Sequence, residues 1–200
     1  IIGGGTGGHI SPGVALYEKF KENGVKAFYL AGVKDKQFDI FDDIEKGDLH
    51  FYGAPTLTKN IIKLPFFLIK FFFAIMKAKK LIKKFDIDAV IGMGGYVSAP
   101  ALFAAKSLGV SIFLCEQNTV PGMVTRHFYK YAERVFGTFE ISKKYLKTEK
   151  NFFHAGNPIR EHIMTFSSRD DAKKAFHLTN VKKVILAIGG SQGALKINEL

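Results

Sequence analysis

The sequence predicts an α/β protein built on parallel β-sheet, and three observations carry that expectation. Short apolar, strand-like runs alternate with helix-like segments along the 200 residues, the order that parallel strands with crossover helices produce. Three glycine-rich turns each follow directly on such a run, where open α/β sheets hold their ligands. After Gly156-Asn157-Pro158 the same strand–turn–helix order starts again, so a second α/β domain is expected to open there.

Taken in order, Ile1 and Ile2 read as the stub of a buried strand, and a helix is expected over residues 12–23. Further strands are expected over 25–30, 89–92, 111–115, 134–136, 152–155 and 184–188, with helices over 99–108, 121–132 and 169–176. Pro158 lacks an amide donor and pushes its predecessor out of the helical region, which makes 156–158 a hinge or turn. The expected domains are therefore 1–157 and 158–200. The chain opens inside a strand without an initiator Met and closes at Leu200 in a helix barely begun. It is thus expected to be a fragment, the second domain only partly present.

Composition narrows the class. With 47% hydrophobic and 24% charged residues, the chain has the make-up of a folded globular protein rather than a disordered one. The net charge of +11 favours an anionic partner, though solubility alone also accounts for such a balance. Lysine clusters with phenylalanine and no nucleic-acid recognition module is visible, so nucleic acid is not the expected partner. The single cysteine, Cys115, leaves no internal disulfide and fits a reducing compartment.

The first turn is Gly3-Gly4-Gly5-Thr6-Gly7-Gly8-His9. Glycines allow close backbone approach, and the next helix aims free N–H groups at the same point, so phosphate is the guest this turn suits. Gly3-x-Gly5-x-x-Gly8 satisfies the dinucleotide fingerprint, but no acid ends the following strand; Asp35 lies three residues beyond Gly32, which disfavours a dehydrogenase. A P-loop is excluded because His9 stands where its lysine belongs. The second turn is Gly92-Met93-Gly94-Gly95-Tyr96-Val97-Ser98-Ala99-Pro100, with Ser98 as a candidate cap and Pro100 in the first helical turn. The third is Gly189-Gly190-Ser191-Gln192-Gly193-Ala194. Any one of them is also consistent with a tight turn that binds nothing; the three together point to one ligand groove.

Between the turns, Glu116-Gln117-Asn118 ends an apolar strand. Carboxamides there either read sugar hydroxyls through paired donor and acceptor or simply shape a loop. Arg160 either holds diphosphate, bridges domains or sits in water. His9, alone among the histidines in lying within a glycine turn, is a candidate general base, phosphate ligand or loop organiser. No histidine shows metal-ligand spacing. Asp86-Ile87-Asp88 has the form of a metal clamp but precedes a strand, at the wrong edge of the sheet, and reads as a solvated connector.

The stretch 61–76 is too apolar for an ordinary surface helix, and Lys63, Lys70, Lys77 and Lys84 recur along it near one helical face. Its unbroken apolar runs are about a third of the ~20 residues needed to span a bilayer. Phenylalanine beside lysine suits an interfacial segment, rings entering the acyl boundary and ammonium groups meeting anionic headgroups. A core helix with a basic outer stripe is the competing reading. The expected patch is Ile62, Phe66, Phe67, Lys70, Phe71, Phe72 and Lys77.

Five blocks in sequence, Gly4 to His9, Gly92 to Pro100, Glu116-Gln117-Asn118, Gly156 to Arg160 and Gly189 to Ala194, make the chain resemble the MurG family of peptidoglycan N-acetylglucosaminyltransferases. The resemblance implies the GT-B fold, two Rossmann-like domains across a cleft. It implies transfer of N-acetylglucosamine, with inversion, from UDP-N-acetylglucosamine to the muramyl 4-hydroxyl of a polyprenyl-diphosphate muramyl-pentapeptide. That reaction belongs to the cytoplasmic face of the bacterial inner membrane and needs no cofactor and no metal. Thr6, Gly7, Gly8, Asn118, Arg160 and Ser191 then correspond to donor-binding positions, and His9 to a residue proposed for catalysis. Gly5, Gly94, Gly95, Tyr96 and Ser98 correspond to the holder of the acceptor diphosphate. Cys115 stands where the family often has histidine, and Ala99 where it often has glycine. The family's uracil and ribose contacts belong to the remainder of its C-terminal domain. The rival readings are a GT-B enzyme acting on another lipid, such as a diacylglycerol, and a non-catalytic membrane-anchoring subunit.

Overall fold

The computed structural model describes residues 1–58, 60–146, 151–164 and 168–189, together with residues 195 and 199. Six parallel strands carry it: β1 (Tyr29–Gly32), β2 (Leu49–Tyr52), β3 (Ala89–Gly92), β4 (Ser111–Glu116), β5 (Arg134–Gly137) and β6 (Phe152–His154). β1 pairs with β2, and β3, β4, β5 and β6 pair in that order. Ile2 stitches the two groups together, bridging Leu30 on one side and Gly92 on the other. Its N–H donates to the Ile91 carbonyl and its own carbonyl accepts from Met93, both at 2.8 Å. The spatial order is β2, β1, Ile2, β3, β4, β5, β6. Strands that follow Ile2 directly lie to one side of it and the later ones to the other. Ile2 and β3 therefore flank the point where strand order reverses, the place where such sheets open a crevice at their C-terminal edge.

Helix α1 (Gly7–Glu22) follows Ile2, α2 (Leu64–Lys84) leads into β3, α3 (Gly95–Leu108) joins β3 to β4, and α4 (Met123–Phe128) precedes β5. The short α5 (Lys143–Leu146), α6 (Glu161–Met164) and α7 (Arg169–Ala175) complete the described helices. The core has two parts. Ile10, Val14 and Tyr17 of α1 pack on Ala27, Tyr29, Ala31 and Phe41. The larger part joins α2 (Ala74, Ala78, Ile82) and α3 (Val97, Ala101, Leu102, Ala105) to Val90, Ile112, Leu114 and Val135. The alternation in β3 to β5 follows: Val90, Ile112, Leu114 and Val135 are buried, while Ile91, Phe113 and Phe136 of the other face are half-buried.

Several expectations shift. Helix α1 begins at Gly7, five residues ahead of Pro12; the acceptor that proline forgoes is the carbonyl of Gly8, an exposed residue, so the loss is small. α3 likewise begins at Gly95 rather than residue 99. β1 starts at Tyr29 because its ladder begins only where the Tyr29 N–H meets the Asp48 carbonyl at 2.9 Å. β2 was not expected, although its aromatic run lies between Gly47 and Gly53, a bounded strand signal. α4 is shorter than the expected 121–132 and passes into a 3₁₀ turn at Tyr129–Tyr131. Residues 184–188 form no strand, and Ile185 is 95% exposed; no described strand lies beside them to supply a ladder, without which an apolar run stays open. Asp86 and Asp88 are exposed just ahead of β3, as a connector at the opposite edge requires.

Candidate active site

Both helices at the crevice start inside glycine turns. Thr6 caps α1 with its backbone alone, Gly94 does the same for α3, and neither first turn carries an acidic residue. The first amides of each helix have no intrahelical acceptor, so two positive helix ends face the opening between Ile2 and β3. The turns touch. Gly94 and Gly95 have φ of 86° and 71°, a region that costs other residues about 1 kcal/mol or more. A methyl group built on Gly95 would stand 3.1 Å from the Gly4 carbonyl oxygen, and one on Gly94 would stand 3.1 Å from the His9 ring. The imidazole thus lies flat against bare backbone, a fit that only glycine allows.

His9 Nδ1 lies 2.9 Å from Thr6 Oγ1. When Nδ1 carries the proton and donates it to Thr6, Nε2 keeps a free lone pair. Burial lowers the His9 pKa below 6.5, with Glu116 pulling the other way, so the ring is neutral near pH 7. Gln117 reaches the same place: its Oε1 would be 3.7 Å from a methyl on Gly94, and that oxygen is buried without a hydrogen-bond partner among the described residues. A buried carboxamide oxygen in that position is an acceptor waiting for a donor.

The strand-end triplet is held by its acid. Buried Glu116 accepts from the Asn118 N–H and the Asn118 Nδ2 through Oε1, each at 3.0 Å, and from the Gly122 N–H at 3.0 Å through Oε2. Asn118 is exposed, with its amide group oriented by that bond. Cys115 is buried and its thiol is pushed up to about 12 by desolvation, which leaves it protonated and inert.

Other predicted site residues take different places. Ser98 is fully buried and donates to the carbonyls of Gly94, 2.6 Å away, and Ile2, 3.1 Å away; it locks the second turn to the sheet instead of facing a ligand or capping α3. The Gly5 N–H points inward, donating to Asp35 Oδ1 at 3.0 Å. Tyr96 is half-buried, its ring covering Gly5. Arg160 Nη2 is bonded to Asp43 and its Nε lies 3.4 Å from Glu18, an ion-pair distance without a hydrogen bond. Thr6 is the N-cap of α1, and Gly7 and Gly8 are its first two residues, Gly8 exposed. Ser191 and the third turn from Gly190 onward lie outside the described residues. The roles of Asp35 and Glu116 were missed; the only signal was an acid at or just beyond a strand end.

In the apolar stretch, α2 turns Phe67 and Phe71 inward, Phe71 meeting Phe103 of α3 edge-on at 5.7 Å. Lys77 Nζ donates to the Phe51 carbonyl at 2.8 Å. Phe67 and Phe71 are half-buried against the fold, whereas Lys77 is exposed. Ile62, Phe66, Lys70 and Phe72 are exposed, and so are Ile69, Phe73 and Met76. No helix among the described residues is long and apolar enough to cross a membrane.

The glycosyltransferase family 28 N-terminal domain profile matches residues 1–137. The chain belongs to glycosyltransferase family 28. Relatives of this family 28 chain are named UDP-N-acetylglucosamine–N-acetylmuramyl-(pentapeptide) pyrophosphoryl-undecaprenol N-acetylglucosamine transferase. The one from Alkaliphilus metalliredigens is 33% identical over 204 residues, covering 100% of this chain and 55% of the relative. The one from Leptospira interrogans is 36% identical over 212 residues, covering 100% and 56%. The chain thus spans about half the length of these curated relatives. The crystal structure of Acinetobacter baumannii MurG superposes with a TM-score of 0.63 at 25% identity, over 82% of this chain and 46% of that one. A UDP-GlcNAc 2-epimerase from Neisseria meningitidis reaches 0.60 at 13% identity, over 90% and 51%, a likeness of fold alone. The family 28 assignment agrees with the resemblance read from the five sequence blocks.

Proposed function

We propose that residues 1–157 form the acceptor-binding and membrane-facing half, and 158–200 the opening of the donor half, of an inverting N-acetylglucosaminyltransferase. Its donor is UDP-N-acetylglucosamine, and its acceptor is the muramyl 4-hydroxyl of a polyprenyl-diphosphate muramyl-pentapeptide. The observation that carries this reading is the meeting of two uncapped, glycine-started helix ends across one crevice, with neutral His9 between them. The free amides at the starts of α1 and α3 hold the acceptor diphosphate by charge-assisted hydrogen bonds, which puts Gly7 and Gly8 on the acceptor side although the resemblance counts them among the donor positions. The acceptor oxygen attacks the anomeric carbon on the face opposite the leaving group. The new C–O bond forms as the bond to UDP breaks, UDP leaves with the electron pair, and the hydroxyl proton passes to His9 Nε2. Asn118 meets the donor from the edge of the crevice. No cofactor enters the reaction.

The exposed apolar side of α2 rests in the headgroup–acyl boundary of the inner membrane on its cytoplasmic face, and each lysine near an anionic surface adds roughly 1 kcal/mol. The lipid-linked substrate is thereby met at its own interface. The test is turnover by the whole protein with muramyl-diphosphate and diacylglycerol acceptors, wild type against His9→Ala and Asn118→Ala. Turnover restricted to the muramyl acceptor and reduced in both variants supports the reading; unchanged rates in both variants overturn the site, and preference for diacylglycerol overturns the substrate.

A further inference from the structure

Asp35 is a buried carboxylate that the proposed chemistry does not use. It sits in the 3₁₀ turn Val33–Gln37 just after β1 and is 3% exposed. Oδ1 accepts from the Gly5 N–H and Oδ2 from the Gly32 N–H, each at 3.0 Å. No lysine, arginine or histidine forms an ion pair with it among the described residues. An isolated carboxylate in such a place is costly unless backbone donors take its charge, and both donors come from the strand ends that shape the crevice. The fit is close: a methyl group on Gly4 would stand 2.2 Å from Oδ2.

The position has a chemical meaning. In a dinucleotide site the second glycine of the fingerprint lets the pyrophosphate approach the backbone, and an acid at the end of the second strand takes the ribose hydroxyl. Here the second glycine is in place as Gly5, the acid is displaced to Asp35, three residues beyond the strand end, and the two are bonded to each other. The inner anion position of the turn is filled by the protein itself. Any incoming diphosphate is left with the outer amides, those of Gly7, Gly8 and the start of α3, on the side where His9 lies.

We propose that Asp35 is a positioning residue for the lipid-linked diphosphate: as an internal anion it fixes Gly5 in its left-handed conformation, φ 85°, and so aims the start of α1 and His9 at the crevice. This rests on the functional reading above. Asparagine in its place keeps the shape but turns one amide nitrogen toward a backbone N–H, donor against donor, so one of the two bonds is lost.

The experiment uses the whole protein. Asp35→Asn is expected to raise the KM for the lipid-diphosphate acceptor severalfold with the KM for UDP-N-acetylglucosamine nearly unchanged, and to lower the melting temperature by a few degrees, the cost of an internal hydrogen bond lost at a buried carboxylate. Asp35→Ala is expected to do the same and to recover acceptor KM in formate but not in chloride, because formate restores the missing carboxylate. An unchanged acceptor KM in Asp35→Asn, or a loss shared equally by both substrates and tracking a fall in folded protein, overturns the proposal. A titration of the ¹⁵N-labelled wild-type protein with inorganic pyrophosphate decides the matter separately from turnover, and also if neither variant folds. Shifts at Gly7 and Gly8 with Gly5 nearly still support the assignment, and a Gly5 shift as large as theirs overturns it. A wild type that transfers no sugar but shows this amide pattern removes the functional reading and leaves Asp35 as the anchor of an anion-binding turn.

Discussion

His9 is where opposing influences on one proton meet: burial favours the neutral ring and the Glu116 carboxylate favours the charged one, with burial the larger. Its folded-state pKa therefore lies below 6.5, and two consequences follow in the same pH window. kcat/KM is expected to fall as the pH drops through that lowered value, where the base becomes protonated. His9→Ala is expected to lose that acidic limb and about 10²–10⁴ in rate; a pH–rate series of both proteins checks it. The sign for stability is the same. The native state binds the proton less readily than the unfolded chain, so its advantage is full above about 6.5 and is lost as pH falls through the lower folded value. Melting curves in that range are expected to show it in wild type and not in the variant. At Gly95, alanine meets both a left-handed φ and the 3.1 Å approach of the Gly4 carbonyl, and is expected to cost about 1–3 kcal/mol in a denaturant midpoint. Among residues, the glycines and His9 were legible because their chemistry is intrinsic. Ser98 was misread because a hydroxyl looks the same in a sequence whether it bonds a ligand or, as here, two carbonyls of its own fold.

At the scale of the element, α2 is apolar on two sides, and each side has its own duty. Ala74, Ala78 and Ile82 enter the core, and Phe71 leans on Phe103, whereas Phe66, Phe72 and Phe73 stand in the open. Substituting Phe66, Phe72 and Phe73 together by serine is expected to abolish most sedimentation with anionic vesicles while leaving the melting temperature close to wild type. Phe71→Ser is expected to do the opposite, costing about 2 kcal/mol of stability with vesicle binding of the folded fraction retained. A triple variant that still sediments like wild type contradicts the interfacial role. The run of phenylalanines announced an unusual helix. Which rings face inward was settled by α3, since only a packing partner separates two apolar sides of one helix.

For the whole molecule, the described residues corresponding to donor-binding positions lie on separate elements, with Thr6, Gly7 and Gly8 at the start of α1. Asn118 is exposed at the end of β4, Arg160 is engaged with Glu18 and Asp43, and Ser191 is outside the described residues. Residues 1–200 alone are therefore expected to bind UDP-N-acetylglucosamine weakly or not at all by isothermal titration; micromolar affinity contradicts a donor site shared with a second half. In the whole protein, Arg160→Ala is expected to raise donor KM only if the arginine exchanges its acidic partners for the donor diphosphate, so an unchanged KM assigns it to its tie with Glu18 and Asp43.

The sequence by itself determined the fold class, the family and the glycine turns, because strand–helix alternation, a bare backbone and a fixed order of motifs are written in local residue types. Only the tertiary structure decided which polar groups face the crevice. Asp35 and Glu116 stood in the sequence only as acids at or just beyond a strand end, and burial against backbone N–H groups made them internal anions. The reason is physical: a carboxylate's partner is set by what surrounds it once water is gone, and for Asp35 that surrounding exists only after the sheet has brought Ile2 beside β1.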